Sequence, residues 1–143
     1  MRPLLRQSVL LLCLAVLPAV GEALYFRDKI PWTSRVAEAD MISVDVARSW
    51  GANAIWVDAR PEADFERDHV PDAVLLNEDR WNELLSQFLQ QHWSPEKKIV
   101  VYCSSQSCNV SGDVARRLRE KEKLPNEIRV LKGGWEEWLK TRK

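Results

Sequence analysis

Along most of the chain, short unbroken apolar runs alternate with stretches whose apolar positions recur every three or four residues. Met41-Ile42 predicts a brief strand, and Ser43 then caps a short helix running to about Trp50. Ala54-Ile55-Trp56-Val57 is a continuous apolar run of the kind that buried parallel strands show. Ala73 to Leu76 is a second such run. Asn77 is predicted to cap a helix, with Glu78 and Asp79 in its first turn at the positive end of the helix dipole. Its apolar positions, Trp81, Leu84, Leu85, Phe88 and Leu89, follow the i, i+3, i+4, i+7, i+8 spacing of one helical face. Pro95 closes that segment. Lys98-Ile99-Val100-Val101-Tyr102 is the clearest strand, and it runs straight into Cys103. A polar loop follows, then a helix with Val110, Val114, Ala115 and Leu118 on one face. Ile128 to Leu131 predicts a last strand, and Gly133-Gly134 a sharp turn into a helix carrying Trp135, Trp138 and Leu139. Strands alternating with helices predict an α/β fold, a mostly parallel sheet of about five strands with helices on both faces.

The first residues follow another pattern. Arg2 and Arg6 precede the apolar run from Val9 to Val20, and small residues follow at Ala19, Gly21 and Ala23. A charged start, an apolar stretch within roughly 7–15 residues and small residues after it describe a secretory signal. The run is shorter than the ~20 residues that span a bilayer. Residues 1–23 are therefore expected to be a signal peptide, cleaved after Gly21 or Ala23 and taking Cys13 with it. An uncleaved anchor is the rival reading. Residues 24–40 contain Pro31 and lack clean periodicity, so they predict a lead-in packing through Tyr25, Phe26 and Trp32. Residues 41–143 then form the domain. Export to a periplasmic or extracellular compartment follows, with no stable membrane span once the signal is removed.

Composition narrows the classes of function. The 143 residues carry 21 Lys plus Arg against 21 Asp plus Glu, which argues against a nucleic-acid partner, since that would favour a basic excess. Three cysteines are too few for a disulfide-built scaffold. Cys103 and Cys108 with only His69 and His92 elsewhere lack metal-ligand spacing, so neither a metal nor another cofactor is expected. The Trp and Leu stripes at helical spacing are core.

Candidate chemistry gathers at Cys103. In open α/β sheets ligands bind outside the carboxyl ends of the strands. Loop N–H groups and the positive end of the following helix would stabilise an anion on its sulfur and lower the thiol pKa. The loop Ser104-Ser105-Gln106-Ser107-Cys108-Asn109 is small and polar, as a cradle for an anionic group requires. Asp58 and Arg60 stand at the same edge, after the strand ending at Val57. Such a pair is more often structural than catalytic, and His69 reads as a satisfied turn residue.

Three separated pieces together resemble the rhodanese-like sulfurtransferase domains. Trp56-Val57-Asp58-Ala59-Arg60-Pro61, with Phe65 and His69-Val70-Pro71-Asp72-Ala73, is similar to that family's amino-terminal signature. Val100-Val101-Tyr102-Cys103 resembles the strand leading to its nucleophile, and Val130 to Trp138 its carboxyl-terminal signature. The resemblance implies that Cys103 carries sulfane sulfur as a persulfide, and that Asp58 and Arg60 help hold the active-site loop. It also implies a small sulfur donor (persulfide, polysulfide or thiosulfate) and a thiol acceptor.

Several positions depart from the family pattern. Its loop commonly has a basic residue five positions after the cysteine; here that position is Cys108, and the first basic residue after Cys103 is Arg116. A doubly charged donor such as thiosulfate then lacks its cation. A phosphatase loop fails because Asn109 stands where arginine is needed. Asp68 and Asp72 replace glycines, and Asp tolerates a left-handed conformation better than most residues. Cys108, five positions from Cys103, is either a resolving thiol that discharges a Cys103 persulfide or a small packed residue at the helix start. Two alternatives to sulfur transfer follow, a thiol–disulfide or persulfide redox sensor using Cys103 and Cys108, and a catalytically silent module that binds a protein partner.

Overall fold

The computed structural model describes residues 7, 16, 36–105 and 109–142. The expected signal and the anchoring rings Tyr25, Phe26 and Trp32 lie outside the described residues, as do Gln106, Ser107 and Cys108. The chain divides into two compact units, Met1–Thr33 and Ser34–Lys143. The described end of the lead-in, residues 36–40, packs on the second unit. Val36 lies against the core, and Arg129 donates to the Ala39 carbonyl. Lys132 pairs with Glu38 and Arg119 with Asp40.

The second unit runs β1 (Met41–Ile42), α1 (Val44–Ser49), β2 (Ala54–Asp58), α2 (Glu62–Arg67), β3 (Val74–Leu75), α3 (Trp81–Gln91), β4 (Lys98–Tyr102), α4 (Val110–Glu120), β5 (Ile128–Leu131) and α5 (Gly134–Thr141). The five strands form one parallel sheet in the order β1-β5-β4-β2-β3, as the apolar runs predict. Burial on both faces explains why β4 reads as an unbroken apolar run. Ile99 and Val101 face α3 and α4, packing with Leu84, Phe88, Val114, Ala115 and Leu118. Val100 and Tyr102 face α1 and α5, packing with Val44, Ala47 and Trp138.

Local differences from the expected elements have physical causes. α2 is absent from the sequence pattern because it buries no residue, so no apolar stripe marks it. α3 begins at Trp81 rather than after Asn77. Asn77 is buried and its amide donates to the Arg60 carbonyl, while its oxygen accepts from Arg80 N at 3.3 Å. It thus opens a turn over residues 77–80 ahead of the helix, instead of capping a helix that begins at 78. Leu89, Val110 and Leu139, expected on core faces, are exposed. They sit at the margins of their stripes, beyond the reach of the sheet.

Candidate active site

β4 is the central strand, and the connections leaving it and its neighbour β2 diverge. The chain leaves β4 toward β5 on one side and leaves β2 toward β3 on the other. Such a reversal opens a crevice at the carboxyl edge of a parallel sheet. Cys103 follows β4 and Arg60 follows β2 at this edge.

Cys103 is 2% exposed and continues the alternation of β4 toward the α3/α4 face. Its Sγ lies 3.2 Å from the Ser111 hydroxyl oxygen and 3.6 Å from the Ser105 carbonyl oxygen. The cysteine is in the disulfide form, and the other half of that bond lies outside the described residues. The sulfur of a disulfide has no proton, so in this state the Ser111 hydroxyl is the donor. A reduced thiol could donate to the Ser105 carbonyl instead. Ser111 is buried in the first turn of α4 and was not among the residues the sequence singled out. Its signal is legible in retrospect. Positions 111, 114, 115 and 118 make one buried stripe, and only the first is polar.

Asp58 and Arg60 form a closed pair. Asp58 is fully buried and accepts from the Arg60 backbone N at 2.9 Å, from Nε at 3.0 Å on each oxygen, and from Nη2 at 2.6 Å. Nη2 also donates to the Asp68 carbonyl at 2.7 Å. Burial opposes the charge on Arg60, but the Asp58 hydrogen bonds and carboxylate outweigh it, so the guanidinium is held above its usual range. The guanidinium lies 4.4 Å from the centre of the Trp135 ring and 5.6 Å from that of Tyr102. Burial, reinforced by the nearby Asp58 carboxylate, pushes the Tyr102 phenol well above its usual range. Its oxygen accepts from Val70 N at 3.2 Å. The pair thus reaches the cysteine loop through Trp135.

Other sequence-singled residues separate clearly. His69 shares a hydrogen bond at 2.9 Å between Nδ1 and the Phe65 carbonyl, and its ring stacks on Phe65, the satisfied turn residue expected. Asp72 takes the left-handed backbone, with φ 62°. Asp68 is extended, with φ −169°, so no glycine is needed there. Arg116 lies on α4 and pairs with Asp113 at 2.7 Å. Ser104 is exposed and Ser105 half-buried, and Asn109 immediately precedes α4. Among the described residues no group of three or more His, Cys, Asp or Glu could hold a metal ion. No helix among them is long and apolar enough to cross a membrane.

A parallel α/β domain with a cysteine loop at the strand reversal is the class this geometry defines. The chain belongs to the rhodanese-like domain family, whose model matches residues 45–141. Its fold is similar to that of a polysulfide-sulfur transferase homodimer from Wolinella succinogenes, with TM-score 0.60 and 20% identity over 83% of this chain and 88% of that one. It is also similar to the BH2092 protein from Bacillus halodurans, with TM-score 0.57 and 21% identity over 87% and 82%. A curated relative, the tRNA uridine(34) hydroxylase of Buchnera aphidicola subsp. Schizaphis graminum (strain Sg), is 34% identical over 53 residues. That match spans 36% of this chain and only 17% of the hydroxylase.

Proposed function

We propose that this chain is an exported sulfurtransferase that carries sulfane sulfur as a persulfide on Cys103 and passes it to a thiol acceptor. The observation that carries the reading is the placement of Cys103, a buried sulfur beside a hydroxyl donor at the reversal of a parallel sheet. The family membership and the name of the Wolinella neighbour agree with it. Export rests on the pattern of residues 1–23 alone.

In the first step the Cys103 thiolate attacks the outer sulfur of a persulfide donor RS–SH. The Cys103–S bond forms, the donor S–S bond breaks, and RS⁻ leaves with the electron pair. In the second step an acceptor thiolate attacks the outer sulfur of Cys103–S–SH. The acceptor becomes the persulfide and Cys103 returns as thiolate, so no external oxidant or reductant is needed. Ser111 Oγ, 3.2 Å from the sulfur, is the hydroxyl that would donate to the thiolate at both ends of the cycle.

The second cysteine of the loop, Cys108, five positions after Cys103, carries a second reading, a dithiol cycle. Cys108 thiolate attacks the inner sulfur of the Cys103 persulfide, forming the Cys103–Cys108 disulfide and expelling HS⁻. A thiol reductant then reopens it. Intact mass spectrometry of the reduced protein tests both readings after separate exposure to thiosulfate, polysulfide and a small persulfide. Wild type should gain one sulfur from persulfide or polysulfide faster than from thiosulfate, since the loop offers thiosulfate no cation, and Cys103→Ser should gain none. Cys108→Ser should gain one sulfur and keep it longer than wild type does. Sulfur retained on Cys103→Ser overturns the assignment. Equal persulfide lifetimes in wild type and Cys108→Ser remove the dithiol cycle.

A further inference from the structure

The two carbonyls that follow β4 are both taken up by one helix. The Cys103 oxygen accepts from Trp135 N at 2.7 Å, and the Ser104 oxygen accepts from Glu136 N at 3.1 Å. Trp135 and Glu136 are the second and third residues of α5, and N–H groups in a first helical turn have no partner within the helix. The approach is close. A Cβ at Gly134 would stand 2.4 Å from the Cys103 carbonyl oxygen and 3.2 Å from Ser105 N. Gly133 and Gly134, with φ 77° and 56°, are both left-handed, which brings α5 onto the loop end-on. The Trp135 ring packs against both the Arg60 guanidinium and the Tyr102 ring, which also meet each other.

We propose that the amino-terminal turn of α5 is a positioning element for the nucleophile, with Gly134, Trp135 and Glu136 acting through the backbone of Cys103 and Ser104. It rests on the reading of Cys103 as the reactive cysteine. Peptide units are planar and trans, with no cis bond among those described. A carbonyl drawn toward α5 therefore turns the next residue's N–H the opposite way. Two successive bonds of this kind fix the peptide planes on either side of Ser104 and face the Ser104 and Ser105 N–H groups away from α5. They also fix the direction in which Cys103 projects its sulfur. The positive end of α5 offsets two carbonyl dipoles that would otherwise oppose negative charge on the loop.

The test removes one of these N–H groups without touching a packed side chain. Glu136 is exposed and lies in the first turn of α5, where proline costs no intrahelical bond. Glu136→Pro and Glu136→Ala are made in the full chain carrying Cys108→Ser and are reduced. The iodoacetamide alkylation rate of Cys103 is then followed against pH by peptide mass spectrometry. Glu136→Ala controls for loss of the side chain. Relative to it, Glu136→Pro should alkylate about two- to tenfold more slowly at neutral pH, the equivalent of one net hydrogen bond. Its midpoint should move to higher pH while the melting temperatures of the two stay close. Equal midpoints for the two variants overturn the proposal.

If Glu136→Pro does not fold, Gly134→Ala and Gly133→Ala replace it. Both place a methyl group on left-handed backbone, but only the one at position 134 reaches the Cys103 carbonyl. Equal midpoints for that pair likewise overturn the proposal. Alkylation is independent of sulfur transfer, so the two readings fail separately. A shifted midpoint in a protein that accepts no sulfur leaves the positioning intact and removes the sulfurtransferase. Persulfide formation with unshifted midpoints does the reverse.

Discussion

Removing the Asp58 carboxylate should cost far more stability than removing any surface charge of this domain. Asp58 has no exposure, and Arg60 is 4% exposed. In Asp58→Ala the guanidinium keeps the Asp68 carbonyl and two aromatic neighbours but loses every contact with its counter-ion. Breaking a buried pair from one side typically costs about 3–5 kcal/mol, because the surviving charge stays buried without a partner. The double variant Asp58→Val with Arg60→Met buries no charge, and such replacements are often neutral to within a few kcal/mol. Arg60 also ties down Asp68, and Asp58 accepts from the Arg60 backbone N, so the double variant should still lose about 2 kcal/mol for those two hydrogen bonds. The expected order is therefore that the single variant is less stable than the double. Urea unfolding followed by tryptophan fluorescence measures both, provided the transitions are two-state with similar slopes. A loss below about 1 kcal/mol for Asp58→Ala, the value of an exposed ion pair, would refute the reasoning. So would a double variant no more stable than the single.

Absorbance titration of the folded protein should leave the Tyr102 phenol protonated as pH passes ~10, where a free phenol ionises. Burial, with Asp58 beside it, keeps that phenol protonated, and two phenols ionising near pH ~10 in the native protein would contradict this. Since the unfolded phenol ionises near ~10, this group's stabilising contribution is complete below about pH 10 and is lost progressively as pH rises toward the folded value. Ser111→Ala removes the hydroxyl 3.2 Å from the Cys103 sulfur. A hydrogen bond to a charged group is worth about 1.5–3 kcal/mol, so the alkylation midpoint of reduced Cys103 should rise by roughly one unit or more. An unchanged midpoint would reduce Ser111 to packing.

The strand–cysteine junction was legible because burial on both faces leaves β4 no charged position after Lys98 until the loop begins. Val114, Ala115 and Leu118 were legible for the matching reason, a helical stripe against one sheet face. α2 was not, since a helix that packs only Phe65 partway against the core carries no periodic signal. Asn77 carries the residue type of a helix cap and its oxygen does take up the Arg80 N–H three residues on, but the helix itself starts later, at Trp81. The Asn77 NH2 donates to the Arg60 carbonyl, a partner that the local sequence does not reveal. Ser111 carries little signal among the many small polar residues around it, although it is the polar member of a buried stripe. The α5 contact with Cys103 joins backbone atoms of residues 103 and 135, and backbone pairing at that separation leaves no residue-type signature beyond the two glycines.

Those glycines connect the three sequence-separated pieces through one physical requirement. A carbonyl at the end of a central strand must find a donor or be left unsatisfied in the interior, and β5 pairs with β4 only as far as Val101. The first turn of a helix has the opposite deficit, N–H groups with no acceptor. Setting the start of α5 against the end of β4 cancels both, and it demands a left-handed turn and no side chain at position 134. The helix must also be held in place, and Trp135 supplies the grip through its ring. That ring rests on a guanidinium, which is tolerable in the interior only because Asp58 accepts from it on both oxygens. The Asp-x-Arg after β2, the cysteine after β4 and the Gly-Gly-Trp after β5 are therefore not independent features. A change at any one of them alters what holds the carbonyl of Cys103, and the buried Asp58–Arg60 pair is tied to that carbonyl through Trp135, whose ring meets the guanidinium and whose N–H meets the carbonyl.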